Sequence, residues 1–113
     1  MAGFCYSNNV SKHVYDKKDG HPIIIITRIP YSGVDKGSSI QASIDSHYLA
    51  VSFTENLGQV QVEVTTDTGG SVDCLSTQTP NGMSIYIPLA GDYIVNFTLP
   101  NGDEYYGEFT VTE

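Results

Sequence analysis

The sequence is poor in charged residues and in residues that favour helices. Only 16 % of its 113 residues are charged, it contains no tryptophan, and it has four alanines. No segment places apolar residues at helical spacing over ten or more positions, whereas Thr, Ser, Val, Ile and Tyr, which suit strands, are abundant. A chain of this length holds one hydrophobic core. We therefore expect a single all-β domain with almost no helix.

Basic residues are also scarce. Five Lys plus Arg stand against 13 Asp plus Glu, which gives a net charge of −8. The only adjacent basic pair, Lys17-Lys18, lies between Asp16 and Asp19. Because nucleic-acid binding depends on clustered basic side chains that neutralise phosphates, nucleic acids and anionic membranes are poor partners for this chain.

Long apolar runs are missing too. The sequence has no stretch of about 18 apolar residues, so we predict no transmembrane helix. Its first residues, Met1 to Tyr6, lack the charged and apolar regions of a signal peptide. Two alternatives stay open: a cytoplasmic protein, or an exported protein whose signal has been removed.

The chain has only two cysteines, Cys5 and Cys74, too few to predict a disulfide framework. If joined, they would close a loop of about 70 residues, worth roughly 4 kcal/mol in the chain-entropy model. Disulfides of immunoglobulin domains join two strands of the packed sandwich. We therefore expect Cys74 to be a reduced, inward-facing strand residue and Cys5 to be unpaired, although the sequence leaves their pairing open.

Motifs that carry catalysis or bind metals are absent. The three histidines show no metal-ligand spacing, and there is no Gly-x-Ser-x-Gly elbow and no glycine-rich phosphate loop. The segment Asn101-Gly102-Asp103-Glu104 offers oxygens that calcium could use, but a hairpin tip accounts for it fully. We therefore predict no enzymatic activity, no metal and no cofactor.

The chain divides into two parts that differ in their content and spacing of apolar residues. Residues 1–20 are polar and irregular, which is typical of a flexible tail, and residues 21–113 carry the pattern of a folded domain. The domain opens with the apolar, β-branched run Ile23-Ile24-Ile25-Ile26-Thr27-Arg28-Ile29, which lies between Pro22 and Pro30. Such a strand needs cover on both faces, or it must cross from one sheet to the other.

Apolar and polar residues then alternate in seven further segments separated by short turns. With the first run this gives eight strand-like segments, each with one apolar face, as a β-sandwich requires. We predict an all-β, immunoglobulin-like, two-sheet antiparallel sandwich of 7–8 strands. Six residues of inward parity are expected to form one inter-sheet core: Phe53, Val62, Ile85, Val95, Phe97 and Phe109.

One local motif indicates Greek-key topology. Tyr93 opens a strand directly after the turn Leu89-Ala90-Gly91-Asp92. A tyrosine corner has this placement, with the hydroxyl bonding to backbone a few residues upstream.

The order of these segments resembles the small immunoglobulin-like domain-of-unknown-function family of Bacteroidetes. The resemblance covers about residues 22–113 and is carried by short motifs distributed along them: Ser39-Ile40-Gln41-Ala42, Leu49-Ala50-Val51-Ser52-Phe53, Val60-Gln61-Val62-Glu63-Val64, Gly91-Asp92-Tyr93-Ile94-Val95 and Tyr106-Gly107-Glu108-Phe109-Thr110-Val111. It implies a β-sandwich and an exported location, and it carries over no active residues.

The candidate functional feature is exposed tyrosine. Of the eight tyrosines, Tyr48, Tyr86 and Tyr106 have the outward parity of their strands, and Tyr31 lies in a loop. Exposed tyrosine supplies amphipathic contact area for proteins or sugars. We therefore expect an exported, non-enzymatic interaction module, with a small carbohydrate-binding module or an inhibitor or accessory of a secreted enzyme as alternatives.

Overall fold

The computed structural model describes residues 21–29 and 36–112. Within these residues the chain forms nine strands and one short 3-10 helix, Gly37–Ser39. The strands are β1 His21–Ile23, β2 Ile26–Ile29, β3 Ile40–Asp45, β4 Tyr48–Phe53, β5 Gln59–Thr66, β6 Ser71–Gln78, β7 Met83–Tyr86, β8 Gly91–Thr98 and β9 Glu104–Val111. The predicted all-β class is therefore confirmed.

The strands form two antiparallel sheets. The four-stranded sheet has the order β1-β3-β4-β7, and the five-stranded sheet has the order β2-β9-β8-β5-β6. Every strand pair in both sheets is antiparallel. This is the predicted two-sheet sandwich.

The first apolar run crosses between the sheets, as one of the two predicted alternatives requires. Ile23 ends β1 in the four-stranded sheet, and Ile26 begins β2 in the five-stranded sheet. A Cβ atom on Gly107 of β9 would lie 2.5 Å from Ile23 Cγ2 and 3.1 Å from the Ile24 carbonyl oxygen, so only glycine fits beneath this crossing. The division of this run in two explains why there are nine strands rather than eight.

The core lies between the two sheets and consists of the residues that the alternation pattern predicted to face inward. All six residues expected there are buried, and Val62, Val95 and Phe97 are fully enclosed. Phe53 of β4 meets Phe97 of β8 edge-on, with ring centroids 6.5 Å apart. Because these rings belong to different sheets, the contact joins the two inner faces in one core.

Both predicted turn features are present. The Tyr93 hydroxyl donates a hydrogen bond of 2.6 Å to the Leu89 carbonyl oxygen, which is the tyrosine corner. β8 and β9 form a hairpin in which Thr98 pairs with Glu104. Gly102 has a φ of +95°, a left-handed conformation that glycine adopts without strain, so the Asn-Gly segment is the tip of this hairpin.

The prediction for Cys74 was wrong in both its parts. On β6 the buried residue is Leu75, which pairs with Val62, whereas Cys74 has the opposite parity and is half-buried. Cys74 is also disulfide-bonded rather than reduced. Val72 and Cys74 alternate as an inward pair would, but Leu75 is larger and more apolar, and its burial sets the register of the strand.

The predicted tail, residues 1–20, lies outside the described residues, as does Cys5. In the described part of the chain no helix is long and apolar enough to cross a membrane.

Candidate binding surface

The structure places the four candidate tyrosines in different parts of the chain. Tyr48 of β4 and Tyr86 of β7 are direct partners in the antiparallel ladder and lie on the outer face of the four-stranded sheet. Tyr106 is half-buried on the outer face of the five-stranded sheet, beside Asn96. Tyr31 lies outside the described residues. The structure therefore brings two of the predicted residues together and separates them from the third.

Tyr48 and Tyr86 are in ring contact. Their centroids are 5.2 Å apart and the ring planes are inclined by 49°. Tyr86 keeps 55 % of its surface exposed, and among the described strands its strand β7 has β4 as its one neighbour. An exposed phenol ring is thus supported from the side by a second one.

A third ring, that of His47, completes the cluster. Its centroid is 5.9 Å from that of Tyr86, and its plane is inclined by 39°. The His47 Nδ1 atom lies 2.7 Å from the Ile87 carbonyl oxygen. A carbonyl oxygen can only accept, so Nδ1 donates this bond and carries the hydrogen. We refer to His47, Tyr48 and Tyr86 as the aromatic patch.

The turn between β3 and β4 holds the patch in place. Asp45 pairs with Tyr48, which leaves Ser46 and His47 as a two-residue connection, and Ser46 has a φ of +54°. The Ile87 amide donates to the His47 carbonyl oxygen at 2.8 Å, so the turn and the end of β7 are joined by two hydrogen bonds in opposite directions. The patch consequently stands on a fixed backbone rather than on a long loop.

Sequence reasoning missed His47 as a member of the site. The available signal was its position: it directly precedes an outward tyrosine in a tight turn. The ring contact with Tyr86 depends on which strand lies next to β4. The order of strands in a sheet cannot be predicted from the local alternation of apolar and polar residues. His21 begins β1, and His47 lies in the turn between β3 and β4.

Two grooves of the described surface differ in their chemistry. The larger, of about 620 Å³, runs along β1 and β3 and has no ionisable side chain in its lining. The smaller, of about 550 Å³, contains the acids Asp67, Asp92 and Glu108. Among the described residues, no three His, Cys, Asp or Glu side chains are grouped so that they could hold a metal ion.

One ionisable side chain is clearly perturbed. Glu55 accepts hydrogen bonds from the Ser39 hydroxyl and from the Lys36 ammonium group, the latter at 3.1 Å. These two bonds, with that from Ser39 as the larger cause, lower the pKa of the Glu55 carboxyl. These bonds link the 3-10 helix that precedes β3 to the segment that follows β4, at the opposite end of β4 from the aromatic patch.

Comparison with known proteins agrees with the geometry. A solved structure of a DUF3244 family protein from Bacteroides vulgatus, described as an immunoglobulin-like β-sandwich, matches with a TM-score of 0.68 at 16 % identity, covering 82 % of this chain and 99 % of the other. At this identity the likeness shows the fold alone. No curated protein sequence matches the chain.

The sequence itself matches a family model. Residues 24–111 match the model described as a domain of unknown function, DUF3244. The match begins inside the crossing run and ends with the last residue of β9, so it spans nearly the whole sandwich. The resemblance to a Bacteroidetes immunoglobulin-like family is thereby confirmed, and the chain belongs to the DUF3244 family.

Proposed function

We propose that this domain is an exported, non-enzymatic module that binds another protein through the aromatic patch. The observation that carries the proposal is the ring of Tyr86, 55 % exposed and yet held in contact with the rings of His47 and Tyr48. An aromatic side chain that is already ordered loses little conformational freedom on binding. Tyrosine is also one of the residues on which binding energy at protein interfaces concentrates.

The geometry favours a protein over a glycan. Sugar rings stack on aromatic rings that lie in one plane, whereas these ring planes are inclined by 49° and 39°. Leu89, three residues after Tyr86 in the chain, is 71 % exposed and adds aliphatic surface. A tilted aromatic cluster suits the apolar centre of a protein interface.

Export is supported by the disulfide at Cys74. Disulfides persist in oxidising compartments and are rare in the cytosol. The location implied by the family resemblance agrees with this chemistry. Fractionating cells of the source organism and probing with an antibody tests it, and recovery in the cytosolic fraction alone would contradict export.

The binding proposal is tested with two matched tyrosine variants. Wild type, Tyr86→Ala and Tyr106→Ala are immobilised and exposed to the envelope and secreted proteins of the source organism, and retained proteins are quantified and then purified. Loss of a hot-spot side chain costs about 2 kcal/mol or more, which is roughly a thirtyfold weakening. We expect a purified partner to bind wild type and Tyr106→Ala alike and Tyr86→Ala at least tenfold more weakly.

Two results would count against the proposal. A partner held equally by all three proteins would place the interface elsewhere. Binding on a glycan array that is lost in Tyr86→Ala would replace a protein partner with a carbohydrate. Circular dichroism melts of both variants show that each is folded before binding is compared.

A further inference from the structure

The sequence Pro-Asn-Gly occurs twice in the chain, in two different structural settings. Pro80-Asn81-Gly82 lies in the connection between β6 and β7, and Pro100-Asn101-Gly102 lies at the tip of the hairpin formed by β8 and β9. The asparagine and the glycine are exposed to solvent in both segments. Water therefore reaches both, and a difference in their reactivity depends on how each segment is held.

An asparagine that precedes glycine can react with its own backbone. The backbone nitrogen of the glycine bonds to the side-chain carbonyl carbon of the asparagine and closes a five-membered ring. Glycine favours this reaction because it has no side chain to obstruct the approach and because its backbone reaches the most conformations. The reaction needs two groups that are free to move: the side-chain amide of the asparagine and the backbone N–H of the glycine.

At Asn101 and Gly102 both of these groups are held by hydrogen bonds. The Asn101 Oδ1 atom accepts from the Asp103 amide at 2.9 Å, and the Nδ2 atom donates to the Asp103 carboxylate at 3.2 Å. The Gly102 N–H donates to the Leu99 carbonyl oxygen at 3.0 Å. This bond stabilises the proton that the nitrogen must lose before it can attack. Local opening must therefore break three hydrogen bonds before this segment can react.

At Asn81 and Gly82 the same two groups are free. The hydrogen bonds of Asn81 are on its backbone: the N–H donates to the Gln78 carbonyl oxygen at 3.2 Å, and the carbonyl oxygen accepts from the Thr77 hydroxyl at 3.1 Å. Among the described residues, no hydrogen bond reaches the Asn81 side chain or the Gly82 N–H. The attacking nitrogen and the carbon that it attacks thus belong to groups that need no opening.

The packing of β4 requires glycine at position 82. A Cβ atom on Gly82 would lie 2.5 Å from the Val51 carbonyl oxygen and 3.4 Å from the Ser52 Cα atom. Any side chain at this position would therefore collide with the backbone of the neighbouring strand. The fold consequently keeps, directly after Asn81, the residue that makes an asparagine most reactive.

We propose that Asn81 is a site of spontaneous deamidation in the folded protein and that Asn101 is protected by its hydrogen bonds. The Gly82 nitrogen bonds to the Asn81 Cγ atom, the bond from Cγ to the side-chain nitrogen breaks, and the proton of the Gly82 amide leaves with that nitrogen as ammonia. One water molecule then opens the cyclic imide at either of its two carbonyl carbons. The products are aspartate and isoaspartate, and each places a new negative charge just before β7.

The test compares the two segments within one chain. The folded protein is incubated at mildly alkaline pH, where an amide nitrogen loses its proton more readily, and samples are digested with chymotrypsin. Cleavage after Tyr86 and Phe97 places Asn81 and Asn101 in separate peptides. Mass spectrometry follows the replacement of NH₂ by OH in each peptide, and a sample taken at the start corrects for reaction during digestion. We expect deamidation at Asn81 to be at least tenfold faster than at Asn101. Equal rates, or a faster reaction at Asn101, would overturn the proposal.

The chain unfolded in urea is the control for the role of the fold. Both segments have the sequence Pro-Asn-Gly, so without their hydrogen bonds they should react at similar rates. We expect unfolding to accelerate deamidation at Asn101 until it approaches the rate at Asn81. If Asn101 stayed equally slow in urea, its protection would come from the local sequence and the structural argument would fail. Reaction of Asn81 in urea but not in the folded protein would also overturn the proposal.

Asn81→Gln identifies the reacting side chain. Glutamine is longer by one CH₂ group, so the same attack would form a six-membered ring, which closes far more slowly. The Asn81 side chain is exposed, so we expect the variant to fold normally. It should show no deamidation in the peptide that contains position 81 and an unchanged rate at Asn101. A persistent reaction in that peptide would place the modification on another side chain, such as Gln78, and would contradict the assignment to Asn81.

Discussion

β8 and β6 belong to the same sheet and have the same length, eight residues, but they bury their side chains very differently. β8 lies between β5 and β9 and buries every second residue: Tyr93, Val95 and Phe97. Among the described strands, β6 has β5 as its only neighbour, and it buries Leu75 alone within the strand. In this sheet the central strand therefore buries a whole face, whereas the edge strand β6 buries one side chain.

In the four-stranded sheet the same contrast holds between β4 and the edge strand β1, whereas the other edge strand, β7, buries Met83, Ser84 and Ile85. β4, between β3 and β7, buries Leu49, Val51 and Phe53. β1, at one edge, is three residues long and buries only Ile23. Short or weakly buried edge strands give other chains little to pair with, which protects the sandwich from edge-to-edge association. An edge strand also leaves outward side chains open to solvent, as with Tyr86 on β7.

The largest effect is expected in the centre of the core. Phe97→Ala removes a fully buried ring that packs against Phe53 of the opposite sheet. Lost transfer energy and the resulting cavity should together cost roughly 3–5 kcal/mol in the free energy of unfolding. Since a small domain holds only about 5–15 kcal/mol in total, urea melts should show this variant as marginal or unfolded.

Tyr106→Ala is the control for that measurement, because Tyr106 faces outward on β9. It should cost less than half as much, although its ladder partner Asn96 and its other contacts make the cost more than zero. If Tyr106→Ala were the more damaging change, the assignment of inner and outer faces would be inverted.

The next effect tests the edge strand itself. Leu75→Ala should cost about 2–3 kcal/mol, at the low end for a buried leucine, because an edge strand can shift and partly close the cavity. Val72→Ala, three residues before Leu75 and on the exposed face, should cost less than about 0.5 kcal/mol. Equal costs in urea melts would mean that the burial of Leu75 does not decide which face of β6 stabilises the sandwich.

These two strands also show how far the sequence predicts the structure. In β8 the apolar residues occupy one parity without exception, so the inward face follows from alternation. In β6 both parities carry an apolar residue, and side-chain size and the neighbouring Val62 decide between them. Alternation of apolar and polar residues therefore predicts the inward face of a strand only where no larger apolar residue occupies the opposite parity.

The candidate site was predictable to a smaller extent. Outward parity identified Tyr48 and Tyr86, but their contact depends on β7 lying next to β4, which is a long-range choice of partner strand. The tyrosine corner was predictable because its hydrogen bond spans only four residues, from Tyr93 to Leu89. Local geometry can be derived from local sequence, whereas the pairing of distant strands cannot.

A smaller effect is expected at this corner. Tyr93→Phe keeps the ring stacked on Phe109 and removes only the hydroxyl that bonds the Leu89 carbonyl oxygen. Loss of one such hydrogen bond should cost about 1 kcal/mol. Thermal melts should therefore place Tyr93→Phe between Val72→Ala and Leu75→Ala, and a cost as large as that of Leu75→Ala would mean that the corner holds the sheets together.

The smallest effect is electrostatic and depends on pH. Hydrogen bonds from Ser39 and Lys36 lower the pKa of Glu55 below its ordinary value of 4.5. A carboxyl whose pKa is lower in the folded state stabilises that state above its unfolded pKa, and this contribution disappears as the pH falls through the folded pKa. Glu55→Gln should therefore be slightly less stable than wild type at pH 7, and the difference should shrink below pH 4.5.

The pair formed by Glu55 and Lys36 is exposed to solvent, so salt should reduce the difference in stability as well. Urea melts of both proteins at pH 7 and below pH 4, each at low and high salt, measure it. A difference that grows on acidification would show that Glu55 acts through something other than its charge.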